Sequence, residues 1–380
     1  MKKRLAIISE AMLEFGGGDR LLSQIAEIFP DADIYTPILS KNLHNKIQHK
    51  LKGRIIEFSS LRKLSILFES RLSRRFFTRL YNTFGPIIYE NLDLTSYKNV
   101  LTLSSRYAHG VITTQENNQI NLFFSPSRYE WDNNYINKKR SLIKIFSAIK
   151  STVFRVWDYN AAQREAENLS ISRYVAKKVK KYYGIDSEIV YPFISDFWFA
   201  DGDDDIKVEA QRLVNDTFGS AEYFLILSRL YDYKKIDELI MIFRNIPSKN
   251  LLVVGEGPEF SYLKTLSSEF KNIKLVGYKK DEIVRELYRN ATATFYCSVE
   301  DFGLSTLESM AAGTPVIGNS KGGFGEIIDE KSGVKFSDTS EIARILTEFD
   351  KNAYVKSEIV ARARSFSVDK FVKSLKDKII

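Results

Sequence analysis

The chain has 380 residues, of which 44% are hydrophobic and 27% charged, and a formal net charge of +8. That length and apolar content suit two domains of ordinary size. The positive surplus points to an anionic partner, with phosphate ligands, nucleic acid and acidic lipid as the classes. One cysteine, Cys297, and three histidines exclude an internal disulfide framework and show no metal-ligand spacing, so a reducing compartment and no metal are expected.

Leu5–Ile8 reads as a first buried strand. Its apolar run is too short for a signal-peptide core, and no run approaches the length of a spanning helix, so a cytoplasmic protein with membrane contact only at its surface is expected. Gly16-Gly17-Gly18 follows, then an amphipathic helix over Leu21–Phe29. Strand, glycine-rich loop and helix is a layout that turns backbone amides toward an anion, although the G-x-G-x-x-G spacing is missing and a plain flexible loop fits as well.

Further strands are predicted at Asp33–Thr36, Val100–Ser105 and Ile120–Phe124. Residues 61–80 hold Arg62, Lys63, Arg71, Arg74, Arg75 and Arg79 against Glu69 alone. Residues 138–155 hold Lys138, Lys139, Arg140, Lys144, Lys150 and Arg155 with no acid. In that second stretch Leu142, Ile145, Phe146, Ile149, Val153 and Val156 form one helical stripe. Such a helix either lies on an anionic membrane or packs its apolar face on its own domain. A lysine-rich helix over 173–183 stops at Gly184, Glu188–Pro192 closes the first half, and Ser195–Asp205 reads as a linker.

The second half alternates strand and helix from Tyr223 to Ile317, and a basic amphipathic helix begins near Val368. This alternation predicts parallel, doubly wound sheets. Within it, the apolar run Ala293–Cys297 leads to Glu300, and Glu308 lies near the start of the next helix. At the carboxyl end of a strand, two such carboxylates flank the place where open α/β sheets bind ligands. Ser305-x-x-Glu308 also fits a helix capping box.

Several of these motifs, in order, resemble the GT-B glycosyltransferases, and specifically the retaining GT4 family. Glu300-Asp-Phe-Gly-Leu-Ser-Thr-Leu-Glu308 is similar to that family's E-x7-E motif, and Ala311–Ile317 and Gly322-Gly323-x-x-Glu326 continue it in register. Upstream, Ser228-Arg229-Leu230 with Tyr233-Lys234-Lys235, and Gly255-Glu256-Gly257-Pro258, resemble its S-R-L…Y-K-R and G-x-G-P elements. In the first half, Gly16–Arg20, Phe29–Thr36, Ser125–Asp132 and Ser172–Ala176 are similar to bacterial mannosyltransferases of polysaccharide and O-antigen assembly. The resemblance covers most of the chain and is poorest over residues 40–95.

The resemblance implies an α/β GT-B fold, two Rossmann-like doubly wound domains facing across a cleft. Residues 1–195 would bind acceptor, residues 196–365 would bind the nucleotide sugar, and a helix over 366–380 would return to the first domain. It implies a metal-independent, retaining hexosyltransferase with no cofactor beyond its nucleotide-sugar donor. Arg229 and Lys234 would hold the leaving diphosphate, Glu300 the donor sugar and Glu308 the ribose hydroxyls. Gly16, Gly17, Gly18, Gly257, Phe302, Gly303 and Leu304 would face the donor, and His109 and Arg128 are acceptor-side candidates.

Phe124 departs from the family, which carries a histidine there near the donor sugar, and Asp19 stands where relatives often have glutamate. His109 could replace that histidine or be an ordinary satisfied or solvent-exposed one. The implied partners are GDP-mannose and a lipid-linked glycan at the inner face of the plasma membrane, with residues 138–155 as a candidate contact to anionic lipid. UDP- or dTDP-sugar donors, a nucleotide-sugar 2-epimerase and a non-catalytic nucleotide-sugar or lipid-binding partner are the alternatives. The basic stretches lack interleaved stacking aromatics, which argues against nucleic acid.

Overall fold

The computed structural model describes residues 3–12, 16–39, 54–58, 71–132, 143–219 and 222–379, with the backbone alone for residues 3, 71–79 and 143–148. Arg62, Lys63, Glu69, Lys138, Lys139, Arg140 and Leu142 therefore lie outside the described residues, as do the side chains of Arg71, Arg74, Arg75, Arg79, Lys144, Ile145 and Phe146. The chain divides into two units, Met1–Tyr191 with Phe371–Ile380, and Pro192–Lys370.

In the first unit the described strands are β1 (Lys3–Ile8), β2 (Asp33–Thr36), β3 (Ile55–Glu57), β4 (Tyr97–Ser104), β5 (Asn118–Phe123), β6 (Glu167–Ser170) and β7 (Glu188–Ile189). They form one parallel sheet in the order β3-β2-β1-β4-β5-β6-β7. Strand β4 is buried on both faces along Val100, Leu101 and Leu103, which is why its sequence runs apolar instead of alternating. Helices α1 (Gly17–Ile28), α2 (Arg71–Glu90), α3 (Ile143–Ala162) and α4 (Arg173–Tyr183) connect these strands.

One local expectation changes here, and one that the sequence left open is narrowed. Helix α1 starts at Gly17 and not at Leu21, with Gly16 as its N-cap, because the Asp19 carboxylate accepts the Gly16 amide at 2.9 Å and draws the glycines into the first turn. The stripe on α3 is turned outward at Ile149, Val153 and Val156, while Phe154 carries the packing face. The core beneath is tyrosine-rich: Tyr81, Tyr89, Tyr97 and Tyr107 surround Phe154 and Val100.

In the second unit the strands are β8 (Phe224–Leu227), β9 (Leu251–Val254), β10 (Ile273–Leu275), β11 (Ala293–Tyr296), β12 (Val316–Asn319) and β13 (Gly333–Phe336). Their order is β10-β9-β8-β11-β12-β13, again parallel. Helices α5 (Asp204–Phe218), α6 (Ile236–Arg244), α7 (Phe260–Ser267), α8 (Asp281–Asn290) and α9 (Leu304–Ala311) alternate with them. Phe224, Phe243 and Phe295 meet edge-on or tilted at ring separations of 5.6–5.7 Å in the core.

The stretch Ser195–Asp205 is not a bare linker. Asp196–Trp198 form a helical turn with Trp198 buried, the Arg285 guanidinium donates to the Phe197 carbonyl, and α5 starts at Asp204. Its aspartates read as loop residues, but Asp203, Asp204 and Asp205 sit at a helix N-terminus, where negative charge is favoured. The last helix, α10 (Val368–Lys376), buries Phe371 and Leu375. After it, the Lys378 ammonium reaches Glu167 and Glu188 at 3.0 and 2.9 Å beside β6 and β7.

Candidate functional site

Each sheet reverses its strand order once, between β1 and β4 in the first unit and between β8 and β11 in the second. In open α/β sheets the ligand crevice lies outside the carboxyl ends of the strands at such a point. In the second unit the residues following β8 and β11 include the predicted Arg229, Lys234, Glu300 and Glu308.

After β8 the chain passes Ser228-Arg229-Leu230 into a helical turn over Asp232–Lys234. Lys235 then takes a left-handed conformation, φ 56°, and opens α6. This turn delivers the Lys234 ammonium to the Glu300 carboxylate, Nζ to Oε1 at 2.5 Å, with side chains only 18% and 13% exposed. The Ser298 hydroxyl donates to the same oxygen at 2.6 Å. Ser298 was not among the predicted site residues. Its signal was present in the sequence, as a hydroxyl between the apolar end of β11 and Glu300. Arg229 is exposed, its guanidinium 5.5 Å from the ring centre of Tyr231, and it pairs with no carboxylate among the described residues.

Close backbone contacts hold the surrounding loops. Glu300 bridges in parallel to Gly322, and its carbonyl accepts the Gly323 amide at 2.7 Å. A side chain at Gly323 would strike the backbone of Asp301 and Phe302. Gly303 has φ 101°, and a Cβ there would enter the Phe324 ring. Phe302 is buried against Phe366, and Leu304 is the first residue of α9. Gly257 presses on the Leu230 carbonyl, while the Leu230 amide donates to Glu256 O at 2.9 Å. The Ser-Arg-Leu and Gly-Glu-Gly-Pro elements therefore form one cross-linked turn.

Glu308 faces inward and is 4% exposed. The capping-box expectation fails: Gly303 is the N-cap of α9 and has no side chain, which leaves Ser305 and Glu308 inside the helix. The Tyr288 hydroxyl lies 3.5 Å from Glu308 Oε2 and 3.4 Å from the Tyr296 hydroxyl, which itself donates to the Ser305 carbonyl at 2.7 Å. Burial pushes the Tyr296 hydroxyl well above its ordinary range, so it stays a neutral donor. Burial also pushes the Cys297 thiol up, so it packs as a small apolar group.

In the first unit the order reversal holds a second carboxylate, which sequence reasoning missed. Glu10 follows β1, and its Oε1 faces the amides of Ser105, Arg106, Tyr107 and Ala108 at 3.2, 2.8, 2.8 and 3.1 Å. Its Oε2 accepts from the Tyr81 and Tyr89 hydroxyls at 2.9 and 3.3 Å. The bend after β4 thus builds an anion cradle that the chain fills with its own side chain. Only the pairing of β1 with β4 brings the two segments together.

The Gly16 amide is taken by Asp19, and Phe124 lies within ordinary contact distance of where a Cβ at Gly18 would stand. His109 is 1% exposed, with Nδ1 2.8 Å from the Ser104 hydroxyl and Nε2 3.2 Å from Asp158 Oδ1, off the hydrogen-bond axis. Asp158 also accepts from the Trp131 indole and the Tyr183 hydroxyl. Arg128 is half-buried at the start of a short helical turn after β5.

Among the described residues no group of three or more His, Cys, Asp or Glu side chains could hold a metal ion, and no helix is long and apolar enough to cross a membrane.

Comparison with known proteins matches residues 208–365 to the family model described as "Glycosyl transferases group 1". An uncharacterized glycosyltransferase of Methanocaldococcus jannaschii is 25% identical over 193 residues, covering 47% of this chain and 48% of the relative. N-acetyl-alpha-D-glucosaminyl L-malate synthase of Bacillus anthracis is 28% identical over 162 residues, covering 40% and 42%. The chain thus spans about half the length of the curated relatives it matches. The crystal structure of Anabaena HepE in complex with UDP-glucose superposes with a TM-score of 0.72 at 15% identity, covering 98% of this chain and 99% of that one. With its two parallel doubly wound sheets the chain has the GT-B fold, and residues 208–365 form a glycosyl transferases group 1 domain.

Proposed function

We propose that this protein is a retaining glycosyltransferase that moves a hexose from a nucleotide sugar onto a lipid-linked glycan, without a metal, in cell-surface polysaccharide assembly. The observation that carries the reading is the Lys234–Glu300 pair at the strand-order reversal of the group 1 domain. In this reading Lys234 and Arg229 bind the donor diphosphate, and Glu300 holds sugar hydroxyls. Negative charge grows on the diphosphate as the glycosidic bond breaks. A lysine already fixed by Glu300 and shielded from water stabilises that charge with little reorganisation.

Glu308, with Tyr288 behind it, is assigned to the ribose hydroxyls. The backbone at Gly257 and Phe302–Leu304 is assigned to the donor's sugar and phosphates. Arg128 is kept on the acceptor side. His109, buried as it is, would act only through Ser104 and Asp158. The donor proposed is GDP-mannose. A UDP-sugar is the second reading, favoured by the UDP-glucose in the HepE complex and by Phe124 in place of a sugar-contacting histidine. The site of action proposed is the cytoplasmic face of the membrane, with the chain bound peripherally.

The test is a screen of GDP-, UDP- and dTDP-sugars against lipid-linked acceptors, with and without EDTA, and assignment of the product anomer by NMR. Transfer with retained anomeric configuration, unaffected by EDTA, is expected. Absence of both transfer and donor hydrolysis with every donor would overturn the reading. Interconversion of free donor without acceptor would replace it with an epimerase.

A further inference from the structure

Helices α2 and α3 lie side by side and run in the same direction. Two hydrogen bonds set their register: Lys150 Nζ to Thr83 Oγ1 at 2.8 Å and Trp157 Nε1 to Glu90 Oε1 at 2.9 Å, both spanning 67 positions. Between them Phe154 and Trp157 pack inward on Tyr107 at ring separations of 5.3 and 6.0 Å. With the inner face spent on these rings, the outer face is set by the residues that remain.

That outer face is apolar. Phe84 and Ile87 on α2 are 46% and 57% exposed, and Ile149, Val153 and Val156 on α3 are 57%, 65% and 57% exposed. Single exposed apolar residues need no explanation, but five on two helices joined by hydrogen bonds concentrate apolar surface of the kind that ordinarily marks an interaction site.

On the two helices themselves the charge is nearly all of one sign. By sequence, α2 carries four arginines and α3 carries Lys144, Lys150 and Arg155. The only acids on the two helices are Glu90 and Asp158. Glu90 is engaged by Trp157 and Arg164, and Asp158 is fully buried. None of the exposed described residues on either helix is acidic. A second copy of this chain would bring the same cations against themselves, whereas an anionic bilayer supplies both an apolar interior and complementary headgroup charge.

We infer that the paired outer face of α2 and α3 is a membrane-docking surface, inserting Phe84, Ile87, Ile149, Val153 and Val156 into the headgroup–acyl boundary of an anionic bilayer. This deepens the membrane part of the proposed function and replaces a single basic helix by a two-helix platform. Insertion, and not charge alone, then retains the protein, so binding should persist in part at high salt while contacts through lysine and arginine weaken.

The test uses the full chain and vesicles of phosphatidylcholine containing phosphatidylglycerol, against phosphatidylcholine alone. The wild type is expected to co-sediment with the anionic vesicles. The combined Ile149→Ser, Val153→Ser, Val156→Ser variant is expected to bind at least roughly tenfold more weakly. Because all three side chains are exposed, its melting temperature should match wild type. In a separate Val153→Trp variant, anionic vesicles should blue-shift the emission.

Absence of wild-type binding, undiminished binding by the serine variant, or an unshifted Val153→Trp emission would overturn the inference. A wild-type dimer in solution that the serine variant abolishes, without vesicle binding, would overturn it in favour of a second copy. Donor hydrolysis measured without vesicles reads the transferase proposal separately. Vesicle binding with no hydrolysis would support this surface while counting against that proposal.

Discussion

The Lys234 ammonium and the Glu300 carboxylate, 66 positions apart in the chain, meet at 2.5 Å where the strand order of the second sheet reverses. The pair is mostly buried and shares its carboxylate oxygen with the Ser298 hydroxyl. In the function proposed above, the lysine holds the donor's diphosphate and the glutamate its sugar hydroxyls.

Removing either partner should strike turnover directly. Glu300→Ala and Lys234→Ala are each expected to lower kcat at least about tenfold, or about 1.4 kcal/mol in the barrier. Steady-state rates with saturating donor check this, and wild-type rates in both variants would sink the site assignment.

Ser298 is expected to act by aiming Glu300. Ser298→Ala removes one donor from Oε1 and should cost about 1 kcal/mol, or roughly fivefold in kcat. Donor KM should change less than kcat. Ser298→Thr, which keeps the hydroxyl, should recover most of the loss; no difference between the alanine and threonine variants would show that the hydroxyl does not aim Glu300.

Glu10 is expected to matter for stability. Glu10→Ala leaves four backbone amides and two tyrosine hydroxyls without their carboxylate, which should cost about 3 kcal/mol. Glu10→Gln keeps one carbonyl acceptor and should lose less. Urea midpoints at fixed slope measure both, and an unchanged midpoint in Glu10→Ala would contradict the cradle.

Alkaline pH should destabilise the protein through its buried tyrosines. Burial, before any other cause, holds the hydroxyls of Tyr81, Tyr89, Tyr183 and Tyr296 above their ordinary range. In the unfolded chain these groups ionise near pH of about 10. Above that pH the unfolded chain releases protons that the folded chain keeps, so stability falls as pH rises, and below it these groups add no slope. Urea titrations at increasing pH should show the decline, and tyrosinate absorbance should lag in the native protein. A native tyrosine titration identical to the unfolded one would refute this.

The sequence by itself determined the alternation of apolar runs and amphipathic segments, and with it the parallel sheets. It also determined the spacing within each of the two pairs Arg229–Lys234 and Glu300–Glu308, because each pair lies within a short stretch of the chain. The position of the α9 N-cap was also local, but a glycine cap hid it: Gly303 bears no side chain to announce the role, and Ser305 offered a false one.

What the tertiary structure decided is which loop ends meet. Lys234 reaches Glu300 because β8 pairs with β11 and not only with its successor β9, and Glu10 reaches the 105–108 amides because β1 pairs with β4. Strand order depends on packing among elements far apart in sequence, which no window of residues contains. The outward turn of Ile149, Val153 and Val156 was decided in the same way. The stripe was legible, but which face α3 buries depended on Phe154 and Trp157 fitting the Tyr107 ring.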